Sequence, residues 1–314
     1  MKLYIARRLA GLLFVWVAIA TVVFSLLRFI PGDPAIVLLG SEATPQQLEE
    51  LRVQLGLTRS VPAQFVEWMT HVLRGDLGSS LLSRRPVVDE IQERLPRSLE
   101  LAALATIVSL LIAIPSGVIA AVRRGTVWDQ GFLSIALFGI CIPSFVLALL
   151  LIFLFSVELR WLPLRGYRPW SDGLLVWLRY LTLPALAYGL VQAAELARMT
   201  RSAMVEIVGL DFVRTARSKG LAERTVLYRH ALRNALIPIV TLVGINLGVL
   251  LTSTVVIEYI FGIPGIGSLL VDAIRNRDYP VVQGVILAIA TIYTILNLLV
   301  DLSYAYLDPR IRYG

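Results

Sequence analysis

Long apolar segments alternate with shorter polar segments along most of this chain. A helix needs roughly 20 apolar residues to cross a bilayer, and six segments are long enough. They lie at residues 9–30, 99–122, 132–157, 178–197, 236–258 and 281–306. The pattern predicts an all-α polytopic membrane protein with six transmembrane helices and a large external helical subdomain. We expect one domain at 1–98, comprising the first span and the subdomain, and a five-helix core at 99–314.

The longest polar segment, residues 31–98, carries short helical patterns in which apolar residues recur every three or four positions. Thr44 and Pro45 suit the N-cap and first position of a helix. Pro62 suits the start of a second helix, and Pro96 suits the end of a third. Helices are therefore expected at 45–55, 62–75 and 88–95, either packed over the spans or lying on the membrane surface.

Composition supports a membrane protein. The 314 residues are 57% hydrophobic and 16% charged, whereas a soluble domain carries about 25% charged residues. Lys2, Arg7 and Arg8 precede the first apolar segment, as in a signal peptide. That segment is longer than a signal peptide requires and no small-residue cleavage site follows it, so we interpret it as an uncleaved span.

The distribution of basic residues predicts the orientation. An even number of spans puts both termini on one side. With the N-terminus inside, short cytoplasmic segments carry 15 Lys and Arg residues, and outer segments of about twice the length carry 13. This density favours cytoplasmic termini under the positive-inside rule. It also accounts for the net charge of +7 without a nucleic-acid partner.

A polar, basic segment at 211–238 separates two apolar regions. Its spacing is helical, and Gly220 divides it into two short helices. The segment is either a solvated hairpin that joins two spans or a docking surface for a cytoplasmic partner. The predicted stripes are Phe212, Ala216 and Lys219 on the first helix, and Val226, Leu227 and Ala231 on the second.

This segment resembles the coupling loop of ATP-binding-cassette importer permeases. That loop reads E-A-A, three residues, Gly, nine residues and I-x-L-P. Ala216, Gly220 and Leu232 match it. Arg214, Thr215, His230 and Arg233 depart from it, and those departures resemble the branch that imports dipeptides, oligopeptides, glutathione or nickel. Two further stretches resemble the same branch, Pro31-Gly32-Asp33-Pro34 and Leu307-Asp308-Pro309-Arg310.

The resemblance implies the translocation subunit of an ATP-driven importer of dipeptides or oligopeptides in the bacterial inner membrane. The implied partners are a second homologous permease subunit, two cytoplasmic ATPase subunits and an external substrate-binding protein. Residues 31–98 would form the surface on which the binding protein docks. The coupling loop would occupy 206–235. Its implied contact residues are Asp211, Arg214, Thr215, Ala216, Arg217, Lys219, Gly220 and Leu221.

The sequence shows no catalytic constellation and predicts no cofactor or metal site. His71 and His230 are predicted on opposite sides of the membrane, and Cys141 lies alone in an apolar segment. No nucleotide-binding GxxxxGK[ST] motif occurs, so ATP would be hydrolysed by other chains. Glutathione or nickel import, or an ATP-independent channel whose basic segment binds anionic lipid, are the alternatives. The chain has few of the His, Met and Cys side chains that bind soft metal ions, which slightly disfavours nickel as the substrate.

Ionisable residues inside predicted spans mark candidate functional sites, because their burial in lipid is costly. Glu195 either forms an ion pair with Arg198, one helical turn away, or faces a cavity. Asp301, with Asn297 one turn earlier, is either structural or part of the transport path. Arg28 is close enough to the outer interface to reach water.

Residues 257–280 contain glycines at 262, 265 and 267. A phosphate-loop interpretation fails, since no Lys-Ser/Thr follows and no strand precedes. The glycines instead allow a turn, after which a short re-entrant or interfacial helix is expected. It would contain Ile266, Leu269, Leu270 and Ile274, and it either lines an outer gate or packs against the spans.

Overall fold

The computed structural model describes residues 2–29, 43–54 and 58–307 of the chain. The Pro31-Gly32-Asp33-Pro34 motif and residues 308–310 lie outside these ranges, as does the predicted helix end near residue 55. Within the described residues, regular structure is helical and β pairing is confined to one isolated bridge, Ser79 with Pro86.

The helices follow one another along the chain. Helices α1 to α6 span Lys2–Phe29, Pro45–Gln54, Val61–Leu73, Val87–Val122, Val127–Cys141 and Ser144–Leu151. Helices α7 to α12 span Leu174–Val208, Asp211–Ser218, Glu223–Thr225, Leu232–Phe261, Ile266–Arg275 and Tyr279–Leu307. A π-helical stretch, Ile152–Glu158, continues α6, and another, Val226–Ala231, joins α9 to α10.

The apolar helices confirm the predicted all-α polytopic fold. Among the described residues, 4 helical stretches are long and apolar enough to cross a membrane, or up to 6 if each of two bent helix pairs is one span. The four are Val87–Val122, Leu174–Val208, Glu223–Gly248 and Tyr279–Leu299. Each of the six predicted spans overlaps a helix or a bent helix pair.

The third predicted span is broken. Val127–Cys141 and Ser144–Glu158 meet at an angle of 101°. The break falls at Ile142, whose backbone is extended at φ −84° and ψ 119°. Pro143 explains this conformation, because proline disfavours the helical region for the residue before it and has no N–H to donate. The span predicted over 132–157 is therefore a bent helix pair and not one continuous helix.

The predicted helix end at Pro96 was also wrong, because α4 continues from Val87 to Val122. Pro96 removes only one backbone hydrogen bond, the one to the carbonyl of Gln92. Both residues are exposed, so water can satisfy that carbonyl. Leu101 and Ser98, at 0% and 1% exposure, hold the same helix in the core on the next turn.

Helices α2 and α3 form where the sequence predicts them. Thr44 and Gln47 cap α2 reciprocally, since the Gln47 N–H donates to Thr44 Oγ1 at 3.4 Å and the Thr44 N–H donates to Gln47 Oε1 at 3.0 Å. Phe65 and Trp68 of α3 pack on Phe24 of α1, with ring centroids 5.2 and 5.4 Å from that of Phe24. This aromatic cluster joins α3 to the first span.

The chain divides into two compact units. One consists mainly of Met1–Arg97 and Pro264–Ile295, and the other mainly of Ser98–Ile263 and Leu296–Arg312. The predicted domain boundary between residues 98 and 99 stays a prediction. The short helix predicted over residues 266–274 forms as α11, and it lies in the first unit. Its Ile266 and Leu269 are buried.

In the second unit, α4 and α7 approach closely at two glycines. A Cβ on Gly117 would lie 2.5 Å from Thr200 Cβ, and one on Gly189 would lie 2.7 Å from the Ala105 carbonyl oxygen. Glycine is therefore required at both positions. Small residues allow membrane helices to pack by close backbone contact, since lipid provides no hydrophobic force between them.

A buried ion pair joins α5 to α7. Arg201 donates from Nε to Asp129 Oδ1 at 2.5 Å and from Nη2 to Oδ2 at 2.7 Å. The Asp129 side chain is only 4% exposed, and its Oδ2 also accepts the Gly125 N–H. This bidentate pair was not predicted from the sequence, because its partners are 72 residues apart.

Candidate functional site

Helix α8 and the first turns after it form a hairpin, which we define as residues 211–231. The first arm, α8, buries Val213 and Ala216, at 0% and 7% exposure. These pack on Val226 from the second arm. Phe212, predicted to share the Ala216 stripe, is instead 43% exposed. The stripe begins at Val213 because residues three apart share a helix face.

Gly220 makes the turn between the arms. Its φ is +74°, in the left-handed region that glycine adopts at little cost. Its N–H donates to the Arg217 carbonyl at 2.9 Å. The conformation expected from the position of Gly220 is therefore present.

An ion pair spans the same turn. Arg217 donates from Nε and Nη2 to the two carboxylate oxygens of Glu223, at 3.1 and 2.7 Å. This carboxylate raises the pKa of the Arg217 guanidinium above its ordinary value. The side chains are 38% and 54% exposed, so the pair orients the turn and contributes little stability.

The second arm differs from the prediction of a short helix. It runs without a break from α9 through the π-helical stretch into α10, so the hairpin continues directly into a candidate span. Val226, Leu227 and Ala231, which were predicted to share one stripe, are all buried, at 0%, 8% and 0% exposure. Leu227 and Ala231 pack with Met204 of α7, which anchors this arm on α7.

The hairpin presents a mixed apolar and charged surface. Most of the predicted contact residues are exposed: Asp211, Arg214, Thr215, Arg217, Lys219, Gly220 and Leu221. Ala216 is the exception, because its methyl group supports the hairpin core. Leu210 and Phe212, at 46% and 43% exposure, add apolar area that the sequence analysis did not assign to this surface.

A second candidate site is a cavity of about 400 Å³ in the second unit. Helix α7 forms one wall and α10 another, and the break between α5 and α6 contributes Ile140 and Ser144. The residues that line the cavity are Ile140, Ser144, Tyr188, Val191, Gln192, Glu195, Arg198, Asn246 and Ser253.

Glu195 is half-buried in this cavity. Its Oε2 accepts a hydrogen bond from Asn246 Nδ2 of α10 at 3.3 Å. Among the ion pairs of the described residues there is none between Glu195 and Arg198, although both line the cavity. Glu195 therefore faces the cavity with acceptor capacity beyond its bond to Asn246.

Gln192 lies one helical turn before Glu195 on the same wall. Gln192 is only 6% exposed, and neither its Oε1 nor its Nε2 has a hydrogen-bond partner among the described residues. Gln192 was not predicted from the sequence as a site residue. Its spacing of three residues from Glu195 was the available signal, since such residues share a helix face.

The remaining polar candidates lie elsewhere. Asn297 of α12 is half-buried and is not among the described residues that line the cavity. Asp301 belongs to α12, but its side chain is outside the described part of the structure. Among the described residues, no group of three or more His, Cys, Asp or Glu side chains could hold a metal ion.

Several apolar helices that can cross a membrane, with a polar cavity and a projecting hairpin, define a polytopic membrane protein of the transporter class. A family model described as the binding-protein-dependent transport system inner membrane component matches residues 113–313, and its N-terminal counterpart matches residues 1–102. The chain belongs to this family of importer permeases, which confirms the resemblance drawn from the coupling-loop motif.

Curated relatives match the chain over its length. It is 45% identical over 313 residues to a putative peptide transport system permease protein of Brucella abortus, covering 100% of both chains. It is 41% identical over 313 residues to a probable peptide ABC transporter permease protein of Sinorhizobium fredii, again covering 100% of both. It is 41% identical over 310 residues to a glutathione transport system permease protein of Escherichia coli, covering 99% of both.

A solved structure shows the same fold. The inward-facing MetNI methionine ABC transporter matches with a TM-score of 0.58 and 17% sequence identity, over 70% of this chain and 96% of that chain. At this identity the likeness concerns the fold alone. The chain is thus a multi-pass membrane permease subunit.

Proposed function

We propose that this chain is the translocation subunit of an ATP-driven importer of dipeptides and oligopeptides in the bacterial inner membrane, with both termini in the cytoplasm. The observation that carries the proposal is the family match together with full-length similarity to permeases named for peptide transport. The single chain would work with a second homologous permease, two ATPase subunits and an external substrate-binding protein.

The hairpin is the proposed contact with an ATPase subunit. Exposed Leu210, Phe212 and Leu221 supply apolar area, and exposed arginines supply charge. One arm follows directly on α7 and the other continues into α10. Movement of the docked hairpin would therefore be passed to two helices that line the cavity, because continuous or closely linked helices move as rigid elements.

A matched pair of threonines tests the orientation and the contact. Thr215 in the hairpin and Thr70 in α3 are both exposed helical residues. Each donates its hydroxyl to the carbonyl four residues earlier, at 2.9 and 2.7 Å. The test variants are Thr215→Cys and Thr70→Cys. Each is made in a Cys141→Ser background, since Cys141 is free and exposed.

The cysteine at 215 is expected to react only with reagent that reaches the cytoplasm and to crosslink to an ATPase subunit. The cysteine at 70 is expected to react with impermeant reagent from outside. Labelling of position 215 from outside would overturn the topology. Labelling of position 215 from the cytoplasm, without any crosslink to an ATPase subunit, would overturn the coupling role and leave the topology standing.

Transport itself is tested in proteoliposomes that contain the complete importer. Uptake of a labelled dipeptide should require ATP and the binding protein. Uptake without ATP would support a channel instead. Glutathione is the second candidate substrate, because the Escherichia coli relative is named for glutathione transport; ATP-dependent uptake of glutathione but not dipeptide would favour it.

A further inference from the structure

The cavity between α7 and α10 contains polar groups that none of the described residues satisfies. Within the part of the chain that the structure describes, neither amide atom of Gln192 has a hydrogen-bond partner, although the residue is only 6% exposed. Buried polar side chains almost always have a partner, and an unpaired one requires an explanation. Because Gln192 lines a cavity of about 400 Å³, its donor and acceptor are available to whatever occupies that space.

Two opposite charges lie on the same wall. Glu195 and Arg198 are one helical turn apart and both line the cavity, and they are not joined by an ion pair within the described residues. The Asn246 amide occupies only one acceptor site of the Glu195 carboxylate, at 3.3 Å. The carboxylate and the guanidinium can therefore each receive a ligand group of opposite charge.

The order of these three side chains along α7 indicates which ligand would match them. Gln192 is buried, Glu195 is half-buried, and Arg198 is exposed, so the cavity deepens from Arg198 towards Gln192. Side-chain positions three residues apart on a helix are separated by about 5–6 Å, and an extended dipeptide spans about 7 Å. A cavity of 400 Å³ also lies within the range of about 300–1,000 Å³ for small-molecule sites.

We propose that this cavity binds a zwitterionic short peptide, with the ammonium group on Glu195 and on the neighbouring Oε1 of Gln192, and the carboxylate on Arg198. The assignment rests on the proposed function as an importer and names a substrate site within this chain. The proposed site differs from a solvated cavity because it requires both charges on the ligand. It also differs from a site for a simple cation or anion, because neither charge alone suffices.

Three ligands distinguish these possibilities in equilibrium binding to the full chain in lipid nanodiscs. They are radiolabelled dialanine, its N-acetyl derivative and its C-terminal amide. N-acetylation removes the ammonium charge, and amidation removes the carboxylate charge. Each change is expected to weaken binding at least about tenfold, as measured for hydrogen bonds to charged groups. Equal affinity for all three, or no saturable dialanine binding, would overturn the proposal.

Variants then assign the charges to residues. Glu195→Gln keeps an acceptor for Asn246 and should abolish the preference for dialanine over its N-acetyl derivative. Arg198→Gln should abolish the preference over the amide. Glu206→Gln is the matched control, because Glu206 is exposed on α7 about three turns beyond Glu195 and outside the cavity. Preferences that survive in the first two variants would refute the assignment.

Gln192→Leu tests the deep wall with a side chain of similar size. Weaker binding of dialanine is expected, with both charge preferences retained. Unchanged affinity would exclude Gln192 from the site. Because binding is measured without ATP or partner subunits, dipeptide uptake that persists in all variants would reject this site and leave the proposed function intact. Dialanine binding without ATP-dependent uptake would support this site and reject the proposed function.

Discussion

Replacing Gly220 tests whether the shape of the hairpin carries its function. The residue has φ +74°, and a Cβ there would have no atom of the described residues within 4 Å apart from its chain neighbours. Strain in a substituted residue would therefore come from the backbone alone. An L-residue in the left-handed region costs about 1–2 kcal/mol, which corresponds to a factor of roughly 5–30 in the population of the native turn.

The contacts that oppose this strain are weak at the turn itself. The exposed Arg217–Glu223 pair is worth about 0–1 kcal/mol. We therefore expect Gly220→Ala to loosen the turn and Gly220→Val to loosen it further, since a β-branched residue is a strong outlier at positive φ. Gly220→Asn should behave nearly as wild type, because asparagine tolerates the left-handed conformation.

The assay measures co-purification of the ATPase subunit, ATP-dependent uptake and membrane abundance. Abundance should remain normal, because span insertion depends on apolar length. Association and uptake should fall in the order Asn, Ala, Val. Gly209→Ala is the matched control. Gly209 precedes the same helix at φ −81°, and a Cβ there would lie 3.5 Å from the nearest atom, which is an ordinary van der Waals distance. Wild-type association and uptake in Gly220→Val would refute the coupling role.

Three other perturbations have clear expected outcomes. Asp129→Asn should lower the free energy of unfolding by about 3–5 kcal/mol, because it leaves a partly buried guanidinium unpaired; Asp172→Asn, in an exposed pair, should change it by less than about 1 kcal/mol. Gly117→Ala should cost about 1–3 kcal/mol in thermal denaturation through overpacking, whereas Gly131→Ala, with open space around it, should not destabilise. Phe212→Ala should weaken ATPase co-purification without lowering thermal stability, since this side chain is 43% exposed; unchanged co-purification would exclude it from the contact.

The sequence was sufficient for the fold because span length and apolar content are local properties. It was insufficient where the helix signals competed. Pro96 is an ordinary stop signal, yet α4 continues because the residues that follow are buried against other helices. Pro143 carries the same chemistry and does break its helix. Only the tertiary surroundings distinguish these two prolines.

The hairpin could be located from sequence because its motif is contiguous. Its exposed face was only partly predicted, since Phe212 and Val213 are both apolar and a short helix offers too few turns to choose between them. The structure resolves the choice, because Val213 packs against Val226 of the returning arm. That contact depends on the turn at Gly220, which no periodicity in the first arm reveals.

The cavity was harder to predict than the hairpin, for a physical reason that also links the two. Glu195 was visible as a costly charge in a span, but whether Gln192 has a partner depends on α10, which begins 40 residues later in the chain. The same α10 is continuous with the second arm of the hairpin, and α7 leads directly into the first. The bond from Asn246 to Glu195 therefore joins the two helices that the hairpin also joins. If the hairpin is the contact with an ATPase subunit, as proposed above, we expect a displacement of one arm relative to the other to change the geometry of that bond.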